Sequence, residues 1–536
     1  MAKFRSAAPG ARIEINALLG GGRWAGQLTF GFAEDVAAGS GAATAGAVPV
    51  LPEIRAAVRA AFDAIAGFTG LSVTQAPRGE RADLAVVSAD TLALPGGGAV
   101  PLGGYAFAPG PDALAGDIFL GPALVPDLAP GRYGHRAVLH EVGHALGLKH
   151  PHETGPFGAL PASRDGPELT VMSARSAPGL PAGVGLGTEA DGFAETFMPA
   201  DIAALQHLYG ANFGDARDTR HVFDPDERVI LRTIWDGGGT DTYDFSAYRD
   251  DLAIDLAPGA HTRTGQEPQL NRAEELSTGA APLYADGAVH NAFLHRGDLR
   301  SLIENATGGA GDDTITGNIA DNRLWGGAGM DHLSSGRGTD RLFGGTGADR
   351  LAGGGGGDRL VGGLGGDRLL GGEGADRLRG GPGDDVASGG TGADTIALAA
   401  GDDTGEGERG NDTLAGRAGD DRLAGGSGND SLSGGRGDDT LSGGAGADTL
   451  VGGAAGPGGD RLTGGSGADL FVITHDARIA DLDIAAGDRI DVPAPRYAAQ
   501  HIERDGADLA VTLAYGGATL VLAGIDHGAL DPDIFI

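Results

Sequence analysis

The chain of 536 residues contains no cysteine. It therefore uses no disulfide and no thiolate metal site, and cysteine usage leaves the redox compartment unconstrained. It has no run of 18 apolar residues, the length needed to span a bilayer as a helix. From Met1-Ala2-Lys3-Phe4-Arg5 onward the first residues lack an apolar core, so no conventional cleavable signal peptide is expected. Positive charge is scarce: 39 Lys and Arg stand against 73 Asp and Glu, for a net charge of -34. That balance argues against nucleic acid or an anionic membrane as a partner and for a large demand for cations. A G-x-S-x-G nucleophile elbow is also missing, which removes a lipase of the α/β-hydrolase kind. What is abundant is glycine, 101 residues concentrated in the second half. The length suffices for two or three domains with cores of their own.

One short stretch carries chemistry. His140-Glu141-Val142-Gly143-His144-Ala145-Leu146-Gly147-Leu148-Lys149-His150 reads H-E-x-x-H-x-x-G-x-x-H. On a helix, His140 and His144 lie about 40° apart around the axis and roughly 6 Å along it. Two imidazoles so placed hold one ion from the same face. Glu141, about 100° away, leans over the ion without ligating it. His150 would point to nearly the opposite side of an unbroken helix. Gly147 resolves this by taking the left-handed conformation that ends a helix and lets the chain turn back. Three imidazoles leave one position of a tetrahedral Zn²⁺ open for water, as in a catalytic site. A lone HExxH arises by chance on amphipathic helices, but Gly147 and His150 make chance a poor account of this stretch. The pattern is the extended zinc signature of the metzincin proteases, which also carry a methionine turn beneath the metal; Val171-Met172-Ser173 lies at a suitable distance.

Around this stretch the sequence implies a mixed α/β domain. Gln27 to Phe32, Leu71 to Thr74, Leu84 to Val87 and Asp117 to Leu120 are expected strands. Pro52 to Ala66 is an expected helix with Ile54, Val58, Phe62 and Ile65 on one face and Gly67 as its C-terminal cap. Asp201 to Tyr209 is an expected closing helix.

The succession INALLGGGRW, HEVGHALGLKHP, VMS and MPADIAALQHLYGAN resembles the serralysin family of secreted bacterial zinc proteases over most of residues 12 to 215. The resemblance implies zinc held by His140, His144 and His150, Glu141 as the general base, Met172 as the methionine-turn residue, and proteins or peptides as substrates. The chain departs from the family at one point. Serralysins place a tyrosine two residues after that methionine, able to reach the zinc and stabilise the transition state; here the residue is Ala174. His152 reads as a solvated loop residue rather than a fourth imidazole ligand. Ile234-Trp235-Asp236-Gly237-Gly238-Gly239-Thr240-Asp241-Thr242-Tyr243-Asp244 is either the calcium loop that joins the two halves of serralysins or a plain turn before a strand.

From Gly308 the chain repeats every nine residues in the frame G-G-x-G-x-D-x-U-x, where U is a large apolar residue. The frame runs to Val451, Gly452 to Thr463 absorbs an insertion, and Gly464 to Val472 is a last copy. The sixth position supplies the expected calcium ligands: Asp313, Asp331, Asp340, Asp349, Asp358, Asp367, Asp376, Asp385, Asp394, Asp412, Asp421, Asp430, Asp439, Asp448 and Asp469. The eighth is usually leucine or isoleucine, as at Leu324, Leu333, Leu342 and Leu351. Glycine suits the tight turn of the first six residues, and the last three form a short strand with its apolar residue inward. A flexible linker needs neither a fixed phase nor a periodic leucine. A roll with so thin a core does not offset the entropy of its glycines unaided, and stacked aspartates repel. Ca²⁺ removes the repulsion and takes the oxygens on offer.

The expected architecture is an α/β metzincin zinc-protease domain followed by an all-β parallel β-roll of the RTX type. Its parts are an N-terminal tail or propeptide (1–12), the protease domain (13–215), a β bridge (216–305), the calcium roll (306–472) and a C-terminal β cap (473–536). Modules of this kind bind calcium at about 10⁻⁴ to 10⁻³ M, so the repeats should stay unfolded inside a cell and fold outside. Asp533-Ile534-Phe535-Ile536, an acidic residue before three apolar ones, resembles the serralysin terminus read by type I export machinery. The expectation is a secreted, monomeric, zinc-dependent endopeptidase. An RTX adhesin with an inactive protease domain is the competing class, favoured only by Ala174 and the Gly/Pro/Ala-rich stretch after it.

Overall fold

A computed structural model of the chain describes residues 3–6, 8, 10, 12–35, 47–93, 99–101, 103–112, 114–175, 192–227, 230–264, 287–492, 499–505, 508–513 and 519–524. It divides into two compact units, residues 1–242 with 255–303 and residues 243–254 with 304–536. The terminal Asp533–Ile536 motif lies outside the described residues, as does most of the stretch that follows Ala174.

The first unit is mixed α/β. Its main sheet runs in the order Val73–Gln75, Leu28–Phe32, Leu84–Ala89, Ile118–Leu120, Gly104–Ala106, with the first four parallel and the last antiparallel at the edge. The central strand Leu84–Ala89 is buried along its whole length, as a continuous apolar run in a parallel sheet requires. Helix α1 spans Ile13–Leu18 and α2 spans Pro52–Phe68. The apolar stripe of α2, Ile54, Val58, Phe62 and Ile65, is buried, and the Phe62 ring lies 4.7 Å from that of Phe30. Burial of such side chains contributes about 1.5–3 kcal/mol each, as an upper estimate. Gly67 does not cap this helix. It lies inside it, and the end is closed by Thr69, whose Oγ1 donates to the Ile65 carbonyl at 2.7 Å. A side-chain hydroxyl thus does the work expected of a glycine turn. Helices α3, Tyr133–Ala145, and α4, Pro199–Tyr209, complete the unit.

The second unit is a parallel β-roll. Its coils advance eighteen residues at a time, two nonapeptides per turn, so that Leu324 pairs with Leu342 and Leu342 with Leu360 in one sheet. Leu333 pairs with Leu351 in the other. These leucines are fully buried and form the apolar ladder. The strands are longer than the three residues expected. They take six, as in Arg341–Thr346 and Arg350–Gly355, and so include the two glycines that open the next repeat. The reason is the ladder itself: the first glycine lies two residues past the leucine, on the same inward face, where it accommodates the neighbouring coil. Beyond the repeats, Asp508–Leu513 pairs antiparallel with Ala499–Asp505 and with Thr519–Leu522. The fold is therefore a mixed α/β unit and an all-β parallel roll, the class expected from the sequence.

Candidate metal centres

Helix α3 carries His140, Glu141 and His144, and ends where the sequence breaks it. Its last carbonyls are satisfied from elsewhere in the unit: Trp24 Nε1 donates to the Ala145 carbonyl at 2.9 Å, and Tyr209 Oη donates to that of Leu146 at 2.7 Å. These are the free acceptors that every helix end leaves. Gly147 then takes φ +106°, and a Cβ there would stand 2.4 Å from the Gly22 carbonyl oxygen. The chain turns back, held by Lys149, whose backbone N donates to Leu18 at 2.8 Å and whose Nζ donates to the Ala17 carbonyl at 2.6 Å.

This turn brings the three imidazoles together. The Nε2 of His150 lies 3.2 Å from that of His140 and 3.3 Å from that of His144. Each Nδ1 faces an acceptor: the Val171 carbonyl for His140 at 2.9 Å, the Leu148 carbonyl for His144 at 2.9 Å, and Glu153 Oε1 for His150 at 2.8 Å. An Nδ1–H that donates leaves Nε2 as a lone pair. Three lone pairs converging with no proton between them fit a cation. Tetrahedral Zn–N bonds of about 2.0–2.1 Å would put the nitrogens about 3.3–3.4 Å apart. Burial, then the neighbouring His144, hold the His140 imidazole well below its ordinary range, and burial holds His144 at about 4. Both rings are thus in the neutral form a metal requires.

Glu141 is 7% exposed, and its Oε2 has no hydrogen-bond partner. Burial pushes its carboxyl up to about 8, opposed by the charge of Arg136. The edge strand comes close to it: a Cβ on Gly104 would stand 2.7 Å from Glu141 Cγ. Met172 is fully buried under α3, and a Cβ on Gly143 would stand 2.8 Å from its Sδ. The turn that carries Met172 is anchored by Asp201, which accepts from Thr170 Oγ1 at 2.5 Å, Val171 N at 2.8 Å and Met198 N at 3.0 Å. Arg136, also buried, donates to the carbonyls of Val171 and Ser173. Ala174 is half-buried directly after that turn. His152 lies in the loop with its side chain 29% exposed. Its ring stacks on His150 at 5.4 Å, and its Nδ1 lies 3.9 Å from the buried Asp165.

In the loop from Trp235, Asp241 is fully buried. Its Oδ1 accepts from Thr219 N at 2.8 Å, while Asp236 Oδ1 accepts from Gly238 N at 3.0 Å. These bonds suit a turn and a cation loop alike.

In the roll, the sixth-position aspartates accept the backbone N–H of the residue one coil before, eighteen residues away in the regular coils, as Asp367 does from Asp349 at 2.9 Å and Asp376 from Asp358 at 2.7 Å. That uses Oδ1. Every Oδ2 from Asp331 to Asp448, and that of Asp469, is buried with no hydrogen-bond partner. It faces a cradle. Where the repeat opens on glycine, a Cβ there would meet it, and at several of them would also meet a carbonyl one coil on: 2.4 Å and 2.6 Å at Gly371, for Asp376 Oδ2 and the Gly389 oxygen. Buried anionic oxygens converging with carbonyls fit a hard cation such as Ca²⁺. Asp313 differs, because Leu252 N and Gly309 N occupy its two oxygens at 2.8 and 2.6 Å. Three aspartates of this column escaped the sequence reading, one of them Asp488 past the last repeat, which accepts from Asp469 N at 3.0 Å. Asp403 and Asp460 accept from Asp385 N at 2.7 Å and Asp439 N at 3.1 Å. Their repeats depart from the consensus, but counting nine residues on from Asp394 finds the first. Arg136 and Asp201 gave no such signal.

The chain thus has a mixed α/β unit in which His140 and His144 of α3 meet His150 from beyond the helix, followed in sequence by a parallel β-roll. The RTX calcium-binding nonapeptide repeat model matches overlapping segments between residues 307 and 472, and the serralysin C-terminal model of peptidase family M10 matches residues 200–266. Metallopeptidase AprA of Pseudomonas marginalis is 30% identical over 213 residues, 36% of this chain and 39% of that protein. Serralysin C of Dickeya chrysanthemi is 32% identical over 232 residues, 39% of this chain and 42% of that protein. Serralysin of Proteus mirabilis is 31% identical over 188 residues, 31% of this chain and 36% of that protein. The chain spans about two fifths of the length of these curated relatives. Its second half carries RTX calcium-binding nonapeptide repeats, and over about two fifths of its length the chain is similar to serralysins.

Proposed function

We propose that the chain is a secreted zinc-dependent endopeptidase whose roll is folded and stabilised by calcium. The observation that carries the reading is the convergence of three Nε2 lone pairs beside the buried Glu141 carboxyl. His140, His144 and His150 hold the zinc. When bound, zinc lowers the pKa of a water and polarises the scissile carbonyl. Glu141 takes the proton of that water and delivers it to the leaving amine. Met172 supports the histidines from below and does no chemistry. On this reading residues 13–215 form the protease, the sixth-position aspartates from Asp331 onward, Asp403 excepted, hold calcium in the roll, and 473–536 cap it and address the chain to a type I exporter. Substrates are extracellular proteins or peptides.

The test is hydrolysis of casein by the zinc- and calcium-loaded full chain. Activity should vanish with a chelator and with Glu141→Ala, and the Glu141→Ala protein should keep its zinc. A wild-type protein that binds zinc and calcium but leaves casein intact would favour an RTX adhesin, the reading to which Ala174 gives some support.

A further inference from the structure

The repeat spanning 398–406 breaks the consensus at both ends. Leu398 stands where the neighbouring repeats have their first glycine, and Gly405 stands where the repeats on either side have Ile396 and Leu414 and the preceding coil has Ala387. The two changes compensate each other. Leu398 is fully buried, and its Cδ1 lies 3.1 Å from where a Cβ on Gly405 would be, beside Leu423 and Leu414. The apolar ladder stays filled, but from the other end of the repeat.

The exchange has a consequence for the cradle. In repeats that open on glycine the place of that Cβ is beside the aspartate oxygen, and at several of them beside the next coil's carbonyl as well. A Cβ on Gly389 would stand 2.4 Å from Asp394 Oδ2, and one on Gly407 would stand 2.5 Å from Asp412 Oδ2 and 2.6 Å from the Gly425 oxygen. Leu398 carries a real Cβ at the equivalent place, opposite Asp403. The disturbance extends along the coil. The second glycine is also replaced in this repeat and the next two, by Ala399, Glu408 and Arg417, which keep the left-handed φ of 106°, 72° and 86° that glycine adopts elsewhere.

We propose that Asp403 holds no calcium, because Leu398 fills its cradle with hydrocarbon, and that the calcium column on this side of the roll is interrupted between Asp385 and Asp421. Asp403 keeps its other task, accepting the Asp385 N–H at 2.7 Å and so continuing the hydrogen-bond column. The inference rests on the reading of the sixth-position aspartates as calcium ligands, and the experiment separates the two.

Calcium bound per full-length chain is counted by equilibrium dialysis at saturating calcium for wild type, Asp403→Asn, Asp421→Asn and the double exchange Leu398→Gly/Gly405→Leu. Asp403→Asn should bind as many ions as wild type, Asp421→Asn at least one fewer, and the double exchange one more. Loss of an ion in Asp403→Asn, or a well-folded double exchange with the wild-type count, overturns the inference while leaving the calcium roll in place. An unchanged count in Asp421→Asn overturns the ligand reading and the inference together. If the double exchange does not fold, the two asparagine variants decide alone.

Discussion

The Val171 carbonyl oxygen accepts Nδ1–H of His140 at 2.9 Å, and so the methionine turn fixes the tautomer of a histidine of the proposed zinc site. The same oxygen accepts from Arg136 at 2.8 Å, and Arg136 also holds the Ser173 carbonyl on the far side of Met172. Removing the guanidinium frees the acceptor that orients His140. Arg136→Ala is expected to weaken zinc binding about 10- to 100-fold, the usual effect of losing a group that orients a metal ligand. Competition with a chromophoric chelator measures this, and an unchanged affinity would show that the turn holds its place without Arg136.

Asp201 anchors that turn from the opposite side. Asp201→Ala strands the N–H groups of Val171 and Met198 and the Thr170 hydroxyl in a fully buried place. Each unsatisfied buried donor costs about 1–3 kcal/mol, so the loss of three is expected to cost about 3–9 kcal/mol. Asp201→Asn, which keeps one carbonyl oxygen, should lose less. Urea unfolding followed by tryptophan fluorescence would report it, and equal midpoints for wild type and Asp201→Ala would refute the anchor.

Local and periodic signals were legible in the sequence; long-range ones were not. The helix, its break at Gly147 and the return of His150 follow from spacing and from one glycine's backbone freedom. The roll follows from a period of nine. Asp403 was hidden because its repeat lost both opening glycines and its leucine, and that loss can be understood only when Leu398 is placed next to Gly405 in three dimensions. Arg136 and Asp201 act across 35 and 30 residues on Val171, and no spacing rule connects them. Gly67 was a misleading local signal, because the Thr69 hydroxyl supplied the cap that a glycine turn would otherwise give.

Without calcium the roll should depend on pH. Burial pushes Asp331, Asp385 and Asp421 up to about 7 and Asp358, Asp367 and Asp376 up to about 6, each opposed by a backbone donor. Their unfolded values lie near 3.8. A folded-state value above the unfolded one means that the fold binds the proton more tightly. The stability these groups contribute is complete below the unfolded value and is lost as pH rises through about 6 to 7. In chelator, circular dichroism should therefore show more β-structure at about pH 5 than at about pH 8, and added calcium should remove the difference. Equal β content at both pH values in chelator would refute this.

Ala174 is the place to ask how much catalysis the family's tyrosine supplies. A hydroxyl that reaches the reacting carbonyl only as charge develops raises kcat and leaves KM nearly unchanged, because it binds the transition state and not the substrate. Removing one such donor elsewhere costs about 100- to 1000-fold. Ala174→Tyr enters a site whose neighbours are set for alanine, so a smaller gain is expected, at least about tenfold in kcat on a peptide substrate. Double variants with Glu141→Ala should lose the gain, since the hydroxyl assists a reaction that needs the base. If kcat does not move, the oxyanion is already met by another donor. If wild type is inert and Ala174→Tyr cleaves, the natural chain keeps the metal, the base and the fold of a protease while lacking one hydroxyl, and the adhesin reading gains.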